Sequence, residues 1–243
     1  MHKLTGQFKN QANGSDNLPA QTFRRAAFFD VDGTLIKGDS QELEARYFIK
    51  HTRVSPGYAF SIFLTLVASQ LNRMGWLSLS RQNAIYLRTY KGQTAQALAD
   101  QAQNLFTEVI CNRFFSGILE ILAWHRRQGD LIVLVSATTR HLLFPFESVL
   151  KPDHVFCTDL EFDANGRCTG KALDGICAQN KKPAVVRAFA RENNIDLSSS
   201  HAYSDHHSDV SFLSCVGYPV VVNPTKKMVG HARKMEWPVH YFD

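Results

Sequence analysis

Five short apolar runs most constrain this chain: Ala26 to Phe29, Leu131 to Val135, His154 to Cys157, His201 to Ser204 and Tyr218 to Val222. Four or five largely apolar residues without a regular polar face read as strands buried on both sides. Helical patterns lie between most of them. Gly117 to Gln128 carries Ile118, Leu122 and Trp124, with Ser116 as a possible N-cap and Gly129 as a stop. Ala184 to Asn193 carries Val185, Val186 and Phe189, and Pro183 opens it. Strands alternating with helices imply an α/β fold, a doubly wound parallel sheet with helices on both faces.

Two intervals depart from that rhythm. From roughly Gln41 to Phe115 one helical pattern follows another, broken at Pro56-Gly57 and Gly75, with no convincing strand. We therefore expect a helical insertion over residues 41–115 after the first strand, and a core made of residues 23–40 and 116–243. Between Asp159 and Gly175, the Asp-Ala-Asn-Gly at 163–166 signals a small hairpin. Residues 1–22, rich in Asn, Gln and Gly and without an apolar stretch, read as a mobile tail and not as a secretory signal. Val54 to Asn72 has no charged residue and is strongly apolar, but Pro56, Gly57, Ser61, Thr65, Ser69 and Gln70 dilute it. It reads as a buried or interfacial helix, not a membrane span.

Composition narrows the partners. The formal charge is +5, from 27 Lys plus Arg and 22 Asp plus Glu, but the basic residues are scattered and form no dense run with interleaved aromatics. No nucleic-acid surface is expected. The five cysteines form no CxxC pair and are odd in number, which fits a reducing, cytoplasmic compartment and a packing role.

Chemistry concentrates at the ends of the strands. In Phe28-Phe29-Asp30-Val31-Asp32-Gly33-Thr34-Leu35, residues two apart point the same way, so Asp30 and Asp32 project together while Gly33 turns the chain. Two carboxylates at one spot repel unless a cation neutralises them or one keeps a proton, which implies a hard, oxygen-liganded metal and acid/base work. An ordinary Asp-Gly turn would look the same in isolation. Further groups fall at the same rim: Ser136 closes the second run, Lys181-Lys182 precede the helix at Pro183, and Asp205-His206-His207-Ser208-Asp209 follow the fourth run. Open parallel sheets bind ligands outside the carboxyl ends of their strands. His206 and His207 are adjacent and lack a spaced partner, so no transition-metal site is expected there.

Taken in order, these segments resemble the haloacid dehalogenase superfamily, and within it the phosphoserine-phosphatase-like branch, whose Rossmann-like core carries a helical cap after the first strand. Asp30-Val31-Asp32-Gly33-Thr34 looks like its first motif, Ser136 its second, Lys182 its third, and Ser204-Asp205 with Asp209 its fourth. The resemblance implies a phosphatase in which Asp30 is the nucleophile, Asp32 the acid and base, Ser136 a ligand of the phosphoryl group and Lys182 its counter-charge. It implies Mg²⁺ held by Asp30, Asp32 through its carbonyl, and Asp205, with Asp209 supporting Lys182 or a metal-bound water. Asp39, Ser136 and Ala137 would touch substrate, although that branch tends to carry Glu at the position of Asp39.

Lys182 is favoured over Lys181 because Val186 and Phe189, four and seven residues on, place the apolar stripe on its face. The expected partner is a small phosphate ester, and the apolar run at 54–72 raises the prospect of a hydrophobic moiety. Transfer of the phosphoryl group to an acceptor alcohol, or a membrane-associated lipid-phosphate phosphatase, are the alternatives. The sequence does not set the oligomeric state.

Overall fold

A computed structural model describes residues 23–51 and 56–243. The tail at 1–22 and the start of the apolar run, Val54 and Ser55, lie outside the described residues. Six parallel strands form the main sheet: β1 (Ala26–Phe29), β2 (Leu131–Thr139), β3 (His154–Thr158), β6 (His201–Ser204), β7 (Tyr218–Val222) and β8 (Val239–His240). Their order is β3-β2-β1-β6-β7-β8. The pair β4 (Leu160–Phe162) and β5 (Cys168–Ala172) makes the small antiparallel hairpin. Its turn is closed by Asp163, whose Oδ1 accepts from the amides of Asn165 and Arg167.

The strand period of two divides the core cleanly. Ala27, Phe29, Ile132, Leu134 and Tyr203 face one layer, while Ala26, Phe28, Leu131, Val133 and Ala202 face the other. The first layer is covered by α5 (Ser116–Arg127) and α6 (Arg140–Leu150) through Ile118, Leu122 and Phe146, and α4 (Ala95–Glu108) packs on α6 and joins the same cluster through Leu98 and Leu105. The second is covered by α7 (Lys181–Glu192), α8 (Val210–Leu213) and α9 (Lys226–Lys234) through Val186, Phe189, Phe212 and Met228. The expected doubly wound sheet is thus present.

Between β1 and β2 also lie α1 (Ser40–His51), α2 (Pro56–Arg73) and α3 (Leu79–Leu87). Ala45, Phe48 and Ile62 form a small separate cluster joining α1 to α2. Glu44 accepts hydrogen bonds from the buried hydroxyls of Tyr86 and Tyr90, which fixes α1 against α3.

Two details differ from the sequence reading. Within α5 the buried stripe is Ile118, Leu122 and His125, while Trp124 is 43% exposed. A step of seven residues returns to the same helical face and a step of six does not. β2 also continues to Thr139, past the end of its apolar run, because Thr139 still pairs with Thr158 of β3.

Candidate active site

β1 is the central strand at which the winding reverses, with β2 on one side and β6 on the other. The crevice at such a switch point is where open α/β sheets bind ligands. Asp30 and Asp32 follow β1, Ser136 lies in β2, and Asp205 follows β6. All four line one cavity of about 440 Å³, together with Gly33, Asp39, Ala137, Lys182, His206 and Asp209. Of the residues singled out from the sequence, Lys181, Ser204 and His207 do not line it.

Lys182 in the first turn of α7 is 3% exposed, and its Nζ donates to Asp30 Oδ1 (2.7 Å) and Asp209 Oδ2 (2.5 Å). Ser204 Oγ donates to the same Asp209 oxygen across 2.9 Å. Lys181 turns the other way, donating to the carbonyls of Asp174 (2.6 Å) and Gly175 (3.0 Å). Burial works against the Lys182 ammonium, but Asp209 and Asp30 together outweigh it and raise its pKa.

Asp32 is held by groups that the sequence reading missed. Its Oδ1 accepts from the Ser40 amide (2.8 Å), and its Oδ2 accepts from Thr138 Oγ1 (2.7 Å) and Ser40 Oγ (3.0 Å). Thr138 was within reach of the period-two rule, being two residues beyond Ser136 on the same strand. Ser136 Oγ accepts from the Thr138 amide at 3.1 Å. Ser40 carried no signal beyond a hydroxyl at a helix start.

The carboxylates exceed the cations. Burial, partly offset by Lys182, pushes Asp30 up to about 6. Burial and then repulsion from Asp39 and Asp30 push Asp32 up to about 7. Asp205 is raised well above the usual carboxylate range by burial and by Asp30. Asp205 also presses on the turn after β1: a Cβ built on Gly33, whose φ is +74°, would lie 2.5 Å from Asp205 Oδ2. Surplus carboxylate oxygens converging beside a backbone turn form a donor set suited to a hard divalent cation.

His206 caps the short turn after Asp205, its Nδ1 bonded to Ser208 Oγ (2.9 Å) and to the Ser208 amide (3.1 Å). Another group of potential ligands, His125, Asp130 and His201, sits at the opposite, amino-terminal end of the strands. Both ring nitrogens of His125 are already bonded, Nδ1 to Asp130 (2.8 Å) and Nε2 to the Tyr203 hydroxyl (2.7 Å). Arg25 holds the other oxygen of Asp130 at 2.8 Å. That cluster is a hydrogen-bonded part of the core, remote from the cavity.

Of the described residues in the run at 54–72, polar side chains and not the large apolar ones line the cavity. Among the described residues of α2, Ser69 and Asn72 line it, while Phe60, Phe63, Leu64 and Val67 are exposed. No helix among the described residues is long and apolar enough to cross a membrane.

Residues 27–214 match the haloacid dehalogenase-like hydrolases. The phosphoserine phosphatase SerB1 of Mycobacterium tuberculosis is 29% identical over 237 residues, covering 95% of this chain and 75% of its own. A histidinol-phosphatase of Neisseria meningitidis serogroup C is 24% identical over 222 residues, covering 90% of this chain and 99% of its own. Among solved structures, a protein of unknown function from Bordetella pertussis Tohama I superposes with a TM-score of 0.80 at 25% identity, over 90% of this chain and 98% of that one. The chain belongs to the haloacid dehalogenase-like hydrolases and is an enzyme of phosphatase type.

Proposed function

We propose that the chain hydrolyses small phosphate monoesters with Mg²⁺, through an aspartyl phosphate on Asp30. The observation that carries this reading is the Asp30–Lys182–Asp209 chain at the carboxyl end of the central strand, with Asp32 poised beside it on two hydroxyls and an amide. An Asp30 oxygen forms a bond to phosphorus as the bond from phosphorus to the ester oxygen breaks. Asp32, raised to about 7, retains enough proton near neutrality to protonate the departing alkoxide. The resulting Asp32 carboxylate then takes a proton from water as that water attacks phosphorus, which restores Asp30 and releases phosphate. Ser136 is assigned to the phosphoryl oxygens. Lys182 offsets the charge on Asp30 and the phosphoryl group.

The carboxylates of Asp30 and Asp205 and the carbonyl of Asp32 would hold Mg²⁺. Bound there, the ion supplies charge neutralisation and orientation of the phosphoryl group. Residues 41–115 are taken as the cap over a core of 23–40 and 116–243. The cysteines, all free, fit a reducing cytoplasm.

The test is turnover of p-nitrophenyl phosphate with and without Mg²⁺, beside Asp30→Asn. Activity should need the ion and vanish in the variant, and acid-quenched wild type should carry covalent phosphate that the variant lacks. Normal turnover by Asp30→Asn would exclude the covalent route.

A further inference from the structure

The wall of the cavity that faces the sheet rim is built by α1, α2 and α3, through Gln41, Ser69, Asn72, Gln82 and Asn83. Within that wall α2 sits the unusual way round. Its inward side is mostly small or polar: Ile62, Thr65 and Ala68 are buried, and Ser69 and Asn72 line the cavity. Its outward side carries Phe60, Phe63, Leu64 and Val67, all exposed, at the i, i+3, i+4, i+7 spacing of a single helical face. At about 100° per residue, Val67 lies roughly 20° from Phe60 around the axis, whereas Ser69 lies roughly 180° from it. A helix of a soluble protein ordinarily buries its large apolar side chains and leaves its small polar ones outside.

The helix ends on Gly75 at φ +78°, where the amides of Trp76 and Leu77 donate back to the Leu71 carbonyl at 2.9 and 3.3 Å. That cap holds Trp76 at the last turn. Phe60, Phe63 and Trp76 are 60%, 58% and 75% exposed, and aromatic side chains carry about 150–250 Å² each, so these three alone offer on the order of 400 Å². With Leu64, Val67 and the exposed Met74 added, the apolar surface stands at the upper end of what monomeric proteins leave open to water.

Charge indicates what covers it. Between Glu44 and Asp100 the sequence has seven Lys or Arg and no Asp or Glu. That exceeds the +5 of the whole chain, so the remaining residues together are slightly acidic. Lys50 and Arg81, on the two helices packed against α2, are exposed. A second copy docked face to face would set this basic segment against itself, because a two-fold interface pairs each patch with its own like. An anionic lipid surface meets it with opposite charge. An uncharged apolar face within a basic segment, with a tryptophan at its end, is the pattern of a helix lying in the bilayer interface.

We propose that the outward face of α2, together with Trp76, docks the protein onto an anionic phospholipid bilayer, lying in its interface without crossing it. Ser69 and Asn72 are on the opposite side of the helix, so the docked face and the cavity do not compete.

Co-sedimentation of the full chain with vesicles tests this, using equal parts of phosphatidylglycerol and phosphatidylcholine against phosphatidylcholine alone, at low and high salt. We expect binding to the anionic vesicles, weakened at least about 10-fold on the neutral ones and in high salt. Tryptophan emission should shift to the blue on the anionic vesicles, and Trp76→Phe should lose most of that shift. The double variant Phe60→Ser with Phe63→Ser should bind at least about 10-fold more weakly. It should keep the wild-type melting temperature and turnover of p-nitrophenyl phosphate, since neither residue lines the cavity. Lys50→Glu with Arg81→Glu should lose a comparable factor on the anionic vesicles.

Wild type that stays in the supernatant with anionic vesicles would overturn the proposal. Equal binding by the Phe60 and Phe63 double variant would place the contact elsewhere and overturn it too, as would equal affinity for neutral vesicles. A dimer that this variant dissolves in sedimentation velocity, with no binding to vesicles, would give the face to a second copy instead.

Discussion

Thr138 Oγ1 donates to Asp32 Oδ2 across 2.7 Å, and Ser40 Oγ shares that acceptor at 3.0 Å while lying 3.0 Å from Thr138 Oγ1. Both hydroxyl residues are fully buried. Asp32 is thereby aimed by one residue of the sheet and one at the start of α1, the first helix of the facing wall. Thr138→Val keeps the shape of the side chain and deletes the donor. A hydrogen bond to a charged group is worth about 1.5–3 kcal/mol, so kcat should fall roughly 10- to 100-fold. Rapid-quench measurement of phosphoenzyme formation and decay would show both steps slowed, since Asp32 is assigned to each. A variant with normal kcat would mean that Ser40 alone suffices to orient the carboxylate.

Gly33 and Asp205 make a second close relationship. At φ +74° an L side chain is strained, and a Cβ there would lie within 3 Å of both the Oδ2 and the Cγ of Asp205. Gly33→Ala should fold, displace Asp205, and raise the Mg²⁺ concentration needed for half-maximal activity by about 10-fold or more. Calorimetric titration with Mg²⁺ checks the same shift without turnover. Wild-type affinity in both measurements would dissociate Asp205 from the metal.

The adjacent lysines offer an internal control. Lys182→Ala should cost about 10²–10³ in kcat, the usual loss for removing one charge-stabilising group, and should lower the melting temperature because Asp30 and Asp209 stay buried without their cation. Lys181→Ala removes bonds to two carbonyls at the surface and should stay within a few-fold of wild type in kcat. Parallel kinetics and melting curves for the pair decide the assignment, and a crippled Lys181 variant would reverse it.

Why these residues were legible, and others were not, follows from the range of the signals. Asp30, Asp32 and Asp205 follow strands buried on both faces and Ser136 follows the apolar run of β2, so a run such as Ala26 to Phe29 announces both the strand and the rim. Lys182 could be separated from Lys181 because the helical period ties it to Val186 and Phe189, both of which are buried. Ser40 and Thr138 are common hydroxyls whose importance lies in what they touch, and that depends on residues 8 and 106 positions away. The orientation of α2 was likewise invisible. Composition showed an apolar segment, but which face meets the cavity depends on packing of Ile62 and Ala68 inward. β8 has two residues, too few for any period to register.

Gly217 tests the packing of the second layer. A Cβ there would lie 1.8 Å from the carbonyl oxygen of Ser198, a backbone atom fixed in the segment whose Leu197 carbonyl accepts from the Gly217 amide at 2.8 Å. Overpacking of this kind costs about 1–3 kcal/mol, so Gly217→Ala should melt several degrees lower than wild type. Its kinetic constants at low temperature should be unchanged because the site is at the other end of the strands. An unaltered melting temperature would show that the loop yields freely.

The histidines at the amino-terminal end of the sheet should make stability depend on pH. His201 is pushed down to about 4, first by burial and then by repulsion from His125, and its Nδ1 is buried with no partner among the described residues. The ring lies between those of Tyr218 (4.8 Å) and His125 (4.7 Å), which leaves little room to hydrate a charge. In the unfolded chain a histidine titrates near 6.5. Between about 6.5 and 4 the unfolded state therefore binds more protons than the folded one, and the contribution of His201 to stability declines as pH falls through that window. Asp30 and Asp32 are shifted upward, so they work in the opposite sense, and the raw stability curve mixes both effects. Comparison with His201→Gln isolates the histidine, since the carboxylates are common to both proteins. Whatever the offset at pH 7.5, the melting temperature of the variant should gain on wild type by several degrees as the pH is lowered to 5. The same gain should appear with saturating Mg²⁺ and with chelator, because His201 is far from the cavity. Parallel curves for the two proteins would show that His201 takes up its proton equally in the folded and unfolded states.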